Sequence, residues 1–135
     1  MTKPLKDVLL AGLAKSQRNL QEAQDNLSLG HFDNSVSCSY YAAFTAARTA
    51  LLSLNIEPKT HEGVRSMFAL HFVKTGIFSP TASRSLSDLK GARESGDYDF
   101  FSGISKEEAT DFLSDAKKFV AEADAYLQKR FADTL

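Results

Sequence analysis

The chain has one cysteine, almost no net charge and no long hydrophobic run, and each of these absences excludes a class of protein. Cys38 alone cannot form an intramolecular disulfide, and such low cysteine usage fits the reducing cytoplasm. The 16 basic and 17 acidic residues give a formal charge of −1, which excludes a strongly basic overall surface but not a local basic cleft. The N-terminal apolar run is short and contains Lys6 and Asp7, so we expect neither a signal peptide nor a membrane span.

The common catalytic and metal-binding motifs are also absent. No P-loop, dinucleotide-binding or nucleophile-elbow pattern occurs, which disfavours P-loop phosphoryl transfer and serine-triad hydrolysis. His31, His61 and His71 lack the spacing of metal ligands, so we expect no metal and no cofactor. His61, at the start of a predicted helix, is the histidine best suited to contact a ligand, with local helix capping as the alternative.

Helical periodicity is strong throughout, whereas strand signals are scarce. Apolar and small residues recur at steps of three and four in five segments, as amphipathic helices require. Residues typical of helix caps and helix ends separate these segments: Gly30, Asp33, Asn55, Pro58, Thr60, Gly76, Ser79, Pro80, Gly96, Ser105 and Glu108. The pattern predicts an all-α protein, an antiparallel bundle of four to five helices forming a single domain over residues 1–135.

Three finer predictions concern the helix boundaries and surfaces. The second helix is expected to begin with Asp33 as its N-cap. The fourth helix is expected to run from Pro80 to the mid-nineties, where Gly96 ends it and an aromatic-rich connection follows over residues 97–104. The charged residues of the last helix, Glu122 among them, are expected to form a solvated face.

Arg93 is the most informative single residue of the chain. It continues the inward-facing stripe of Leu86 and Leu89, where an arginine needs an acceptor such as a carboxylate, a helix C-terminus or a ligand phosphate. Asp97 follows four residues later and is compatible with the same side of the helix. Two interpretations remain open, since the pair either braces the connection to the last helix or lines a cleft.

Three tyrosines are further candidates for contact with a ligand. Tyr98 can hydrogen-bond, stack on a base or accept a covalent modification, or it is an amphipathic residue at the edge of the core. Tyr40 and Tyr41 are neighbours, and neighbouring side chains on a helix point about 100° apart. One of them is therefore expected in the core, and the other facing a cleft or a partner subunit.

Four segments, in this order, resemble the HEPN family (higher eukaryotes and prokaryotes nucleotide-binding). They are GHFDNSVSCSYYAAFTAARTALL (residues 30–52), KTHEGV (59–64), FVKTG (72–76) and RESGDY (93–98). The likeness is greatest to the small stand-alone bacterial and archaeal branch of that family, which is associated with toxin–antitoxin pairs. It implies a helical bundle that forms a homodimer and has a small nucleotidyltransferase as its partner.

The resemblance also implies a site. Many members are metal-independent ribonucleases whose motif is an arginine followed within a few residues by a histidine, in a cleft at the dimer interface. Arg93 matches that arginine, but Tyr98 stands at the position of the histidine, and no histidine follows His71. In some relatives a tyrosine just past the arginine receives a nucleotide from the partner, a role that would fall on Tyr98.

Three functions are compatible with these residues and with the resemblance. The first, which the missing histidine favours and which we predict, is a module that binds a nucleotide or an RNA phosphate through Arg93, with Tyr98, Tyr41 and His61 as further binding residues. The second is a ribonuclease toxin with Arg93, Asp97 and Tyr98 as catalytic residues. The third is a dimeric adaptor without catalytic activity, which the missing histidine also favours over the second.

Overall fold

The computed structural model describes residues 4–98 and 103–134, without the side chains of residues 96–98 and 132–134. Five helices and no strand occur in this part of the chain: α1 (Leu5–Ser28), α2 (Phe32–Leu52), α3 (His61–Phe68), α4 (Pro80–Tyr98) and α5 (Lys106–Thr134). A π-helical segment, Ala69–Val73, continues directly from α3. The predicted all-α bundle is confirmed. Across the described ranges, no helix is both long enough and apolar enough to cross a membrane.

Most helix boundaries follow from local backbone chemistry. Gly30 and Gly76 adopt φ values of 81° and 78° where helices end, a conformation that glycine tolerates because it has no Cβ. Thr60 caps α3 by accepting a hydrogen bond from the Gly63 N–H at 2.9 Å. The predicted capping box is present at α5, where the Ser105 hydroxyl accepts from the Glu108 N–H at 3.0 Å and the Glu108 carboxylate accepts from the Ser105 N–H at 3.2 Å.

Two predicted boundaries were wrong. The N-cap of α2 is His31, and Asp33 lies inside the first turn, where its carboxylate still complements the positive end of the helix dipole. Helix α4 continues through Gly96 to Tyr98, so residues 97 and 98 are helical rather than part of a connection. A glycine inside a helix costs only about 1 kcal/mol relative to alanine, which is too little to end a helix on its own. Residues 99–102 of the predicted connection lie outside the described residues.

Helix α2 is the centre of the bundle and packs against the other four helices. One reason is its alanine-rich surface, since small side chains let neighbouring backbones come close. The buried alanines are Ala42, Ala43, Ala46, Ala47 and Ala50. Around α2, the rings of Phe68, Phe72, Phe78 and Phe119 pack with centroid separations of 4.9 to 6.0 Å. This core holds one face of α2 in place and leaves the flank that carries Tyr41 and Phe44 partly accessible.

Two partly buried hydrogen bonds hold the start of α4 against α5. The Ser79 hydroxyl and the Ser79 N–H donate to the two carboxylate oxygens of Glu122, at 2.8 and 3.1 Å. Glu122 is therefore half-buried and hydrogen-bonded, and its assignment to a solvated face was wrong. Side-chain periodicity did not show this contact, because the two residues lie 43 positions apart.

Candidate functional site

The candidate site is a cluster of aromatic and basic side chains from three helices, which we call the aromatic–basic cluster. Helix α2 supplies Tyr40, Tyr41 and Phe44, the first turn of α3 supplies His61, and α4 supplies Arg93. The three helices converge here because α2 packs against both α3 and α4. The cluster therefore joins residues that lie far apart in the sequence.

Tyr40 links the core to the cluster. Its side chain is fully buried, and its hydroxyl shares a hydrogen bond with Nδ1 of His61 at 2.8 Å. Burial raises the pKa of the Tyr40 phenol, an effect that the charge of Arg93 opposes in part. The phenol is thus neutral near pH 7, and the donor in this hydrogen bond depends on which nitrogen of His61 carries the proton.

His61 is held on two sides while its ring stays exposed. The ring stacks on Phe44 with centroids 4.0 Å apart and an interplanar angle of 23°, and Nδ1 is tied to Tyr40. Partial burial lowers the pKa of His61, and the positive charges of Arg93 and Lys90 lower it further. The imidazole is therefore mainly neutral near pH 7. The capping role considered for His61 belongs to Thr60 instead.

Arg93 lies over the two tyrosines of α2. Its guanidinium carbon is 5.1 Å from the centroid of the Tyr41 ring and 5.8 Å from that of Tyr40, within the range of cation–π contacts. The side chain is half-buried, as its position on the inward stripe of α4 predicted. One turn earlier, Lys90 pairs with Glu94 at 3.0 Å. The guanidinium of Arg93 thus contacts the faces of two tyrosine rings at the edge of the core.

Basic side chains outnumber acidic ones around the cluster, although the charge of Glu94 also acts on Tyr40. Arg93 and Lys90 both act on the ionisation of His61, and Arg93 and Arg65 both act on that of Tyr40. These effects require the cations to lie close to the two rings. An anionic group that approaches the cluster would therefore meet the positive charge of Arg93.

A surface groove of about 480 Å³ adjoins the cluster at His61. Its apolar lining includes Phe44 and Val64, and its polar lining includes Arg48, Glu57 and Lys59. Arg48 and Glu57 form an ion pair at 3.6 Å, with side chains 50% and 65% exposed. The groove is open to solvent and has a mixed lining of apolar and charged side chains.

Other chemistry is poorly supported in the described part of the chain. Across residues 4–98 and 103–134, no group of three or more His, Cys, Asp or Glu side chains is arranged to hold a metal ion. Cys38 is half-buried, and burial raises the pKa of its thiol, with the charge of Glu22 adding to the effect. The thiol therefore lacks the thiolate character of a nucleophile.

Of the five residues proposed from the sequence, the structure brings together Arg93, Tyr41 and His61. The side chains of Asp97 and Tyr98 lie outside the described residues, so the Arg93–Asp97 pair and the role of Tyr98 stay predictions. Their backbone continues α4 by one turn beyond Arg93.

Sequence reasoning did not identify Phe44, a member of the cluster, or Lys90, whose charge acts on it. The one available signal was helical spacing, since Phe44 follows Tyr40 and Tyr41 by about one turn, and Lys90 precedes Arg93 by about one turn. That spacing alone does not separate a site residue from a core or surface residue.

Comparison with known proteins shows the family to which this sequence is similar. The HEPN domain family matches residues 11–126. A Methanocaldococcus jannaschii protein that carries the name "Putative toxin" is 30% identical over 115 residues, covering 85% of this chain and 78% of its own. A UPF0332 protein of Gloeobacter violaceus is 34% identical over 114 residues, covering 84% and 90%. A UPF0332 protein of Archaeoglobus fulgidus is 30% identical over 123 residues, covering 91% and 98%. This chain therefore belongs to the HEPN family.

Proposed function

We propose that this HEPN protein binds the phosphate of a nucleotide or an RNA at Arg93, as the toxin half of a pair with a small nucleotidyltransferase. The observation that carries the phosphate site is the position of Arg93 over Tyr41, beside Lys90 and His61. A guanidinium is planar and presents several N–H donors in a fork, which matches the oxygens of a phosphate. The name of the Methanocaldococcus jannaschii relative supports the toxin assignment.

The partners in this proposal are a second copy of the chain and the nucleotidyltransferase. The alanines of α2 are buried within one chain and are not available to a partner. The half-buried aromatic rings of Tyr41 and Phe44 support it better, since aromatic residues are enriched at interfaces. Light scattering at micromolar concentration is expected to give twice the monomer mass, and a monomer would refute the homodimer.

The phosphate site is tested by comparing two arginines of α4. Arg93→Gln removes the guanidinium of the cluster, whereas Arg84→Gln removes an exposed guanidinium that contacts Thr81 locally. We expect Arg93→Gln to weaken the binding of a nucleoside monophosphate by at least about tenfold, because hydrogen bonds to charged groups are worth about 1.5–3 kcal/mol. Arg84→Gln should leave the affinity within about twofold, as rim charges contribute little. Equal losses would show that the site lies elsewhere, and circular dichroism checks that both variants fold.

The nucleotidyltransferase partnership has its own test. Co-expression with a candidate nucleotidyltransferase is expected to yield a complex and a mass increase of one or more nucleotidyl groups on Tyr98. Tyr98→Phe should abolish that increase while the complex persists. Modification of a different residue would overturn the role of Tyr98. If no nucleotidyltransferase encoded next to this protein's gene bound the protein, the partnership would be overturned.

A second candidate function, metal-independent ribonuclease, is favoured by the position of His61. The fold places a histidine in the same cluster as Arg93, although none follows Arg93 in the sequence. When Nδ1–H donates to the Tyr40 oxygen, Nε2 is left as a proton acceptor for a ribose 2′-hydroxyl. The 2′-oxygen then attacks phosphorus to form a 2′,3′-cyclic phosphate, and the bond to the 5′-oxygen breaks. That oxygen takes a proton from water, and the hydroxide left behind takes the proton that His61 accepted. Arg93 would stabilise the added negative charge.

RNA cleavage in EDTA separates these functions. A ribonuclease that uses this site loses cleavage in both Arg93→Gln and His61→Asn, whereas His31→Asn, at an exposed position between α1 and α2, keeps it. If Arg93→Gln lost cleavage and His61→Asn kept it, His61 would take no part in the reaction. Asp97 and Tyr98 would then remain as candidate catalytic residues. No cleavage by the wild-type protein would leave the binding module as the function.

A further inference from the structure

The groove beside His61 has the features of a site for a flat ligand with polar edges. Its volume of about 480 Å³ lies within the range of small-molecule sites. The stacked rings of Phe44 and His61 provide an aromatic wall, and Val64, which is 1% exposed, closes the groove on the core side. Its charged lining residues, Arg48, Glu57 and Lys59, are all exposed, and we call them the polar rim.

The polar rim supplies both hydrogen-bond donors and an acceptor. Arg48 and Lys59 donate, and the Glu57 carboxylate accepts. Arg48 and Glu57 are paired at 3.6 Å but largely exposed, and exposed ion pairs contribute little to stability. Both side chains can therefore exchange this pairing for hydrogen bonds to a ligand. Alternating donors and acceptors on a planar ring are the pattern found along the edge of a nucleobase.

We infer that this groove holds the base of the nucleotide whose phosphate is bound at Arg93. This inference rests on the proposed function and adds a base subsite to it. His61 is the residue that the two subsites share, because its ring lines the groove and its Nδ1 is bonded to the Tyr40 hydroxyl. The Tyr40 ring in turn lies 5.8 Å from the guanidinium carbon of Arg93. Phosphate and base would thus bind on two sides of one histidine.

Phe44 forms the aromatic wall of this groove. Its ring stacks on His61 and on Tyr40, at centroid separations of 4.0 and 5.8 Å, and is therefore held in place. Base-stacking on aromatic side chains tolerates any base, because every base has a π face. The groove is therefore expected to favour nucleotides over sugar phosphates, and to discriminate weakly among bases.

The test compares ligands with and without a base, by isothermal titration calorimetry. The probes are ribose 5-phosphate, AMP, UMP and a short single-stranded RNA. Wild-type protein is expected to bind AMP at least about tenfold more tightly than ribose 5-phosphate, since stacking on one aromatic wall is typically worth that much. Equal affinity for the two would overturn the base subsite. Binding of RNA but not of AMP would identify the base as part of a polynucleotide, and the variants below are then titrated with RNA.

Two variants locate the subsite. Phe44→Leu removes the aromatic wall and is expected to lower AMP affinity about tenfold while ribose 5-phosphate affinity is retained. Phe112→Leu, at another half-buried phenylalanine that packs on the core from α5, is the matched control and should change neither. Equal losses for AMP and ribose 5-phosphate in Phe44→Leu would overturn the inference.

A rim variant covers the case in which Phe44→Leu fails to fold. The double substitution Arg48→Ala with Glu57→Ala lies at exposed positions and is expected to lower AMP affinity severalfold while ribose 5-phosphate affinity is retained. An unchanged AMP affinity would overturn the rim's role. Failure of the phosphate site gives a different result, because Arg93→Gln would then leave the affinities for both ligands unchanged.

Discussion

Replacing a helical glycine by alanine is expected to have opposite effects at Gly12 and at Gly91. At Gly12 on α1, an added Cβ would lie 2.3 Å from Oγ1 and 2.9 Å from Cγ2 of Thr49 on α2. At Gly91 on α4, nothing lies within 4 Å of the added Cβ. The two substitutions are chemically identical, so any difference between them reports the closeness of the α1–α2 contact.

The magnitudes follow from two competing terms. Alanine is favoured over glycine in a helix by about 1 kcal/mol, so Gly91→Ala should raise the free energy of unfolding by about 0.5–1 kcal/mol. At Gly12 the methyl group must displace Thr49, which is β-branched, 2% exposed and bonded through its hydroxyl to the Thr45 carbonyl at 2.7 Å. Overpacking of this kind costs about 1–3 kcal/mol, and loss of the hydroxyl's bond adds about 1 kcal/mol. The gain of about 1 kcal/mol from placing alanine in a helix offsets part of this cost. Gly12→Ala should therefore lower the free energy of unfolding by about 1–3 kcal/mol.

Urea unfolding followed by circular dichroism measures both effects. Thr49→Ala removes the two closest atoms, so the double variant with Gly12→Ala should be more stable than the sum of the single effects predicts, by about 1 kcal/mol. If Gly12→Ala stabilised the protein as much as Gly91→Ala, the close α1–α2 contact would be refuted. That contact matters for the site, because α2 carries Tyr40 and Tyr41.

Two further predictions concern ionisation and the start of α4. The pKa of His61 is lowered below 6.5 in the folded state, so as pH falls the unfolded chain takes up this proton first and stability is lost. Between about pH 7 and pH 5 the free energy of unfolding should fall more steeply in the wild type than in His61→Gln, and parallel slopes would contradict the shift. Glu122→Ala should lower the free energy of unfolding by about 1–3 kcal/mol because two donors of Ser79 lose their acceptor. Asp111→Ala, at an exposed position of the same helix, should change it by less than about 0.5 kcal/mol, and similar losses in both would count against the contact.

Most helix ends were predictable because they depend on a few neighbouring residues. A positive φ at Gly30 or Gly76, the Thr60 cap and the Ser105–Glu108 box each involve atoms within one turn of backbone. The end of α4 was not predictable in this way. Glycine lowers helix propensity at Gly96, but a weak local preference does not decide the outcome when the rest of the helix packs on the core through Leu86 and Leu89.

The candidate site was predictable one residue at a time. Arg93 drew attention because an arginine on an apolar stripe needs a partner, and its half-buried position confirms the stripe. Tyr41 and His61 were predicted separately. Tyr41 was chosen because it follows Tyr40 on the same helix, and His61 because it lies at the start of a predicted helix. No sequence pattern indicated that all three meet, since their contacts depend on how α2, α3 and α4 pack.

The sequence by itself determined the helical content, most of the helix ends and membership of the HEPN family. These follow from periodicity and from capping, which act over a few residues. The tertiary structure alone decided that Tyr40 bonds to His61, 21 residues away, and that Arg93 lies over Tyr41. A periodic pattern states which side of a helix is buried, but the partner on that side depends on the packing of the whole bundle. His61 therefore comes into the same cluster as Arg93 only once the chain is folded.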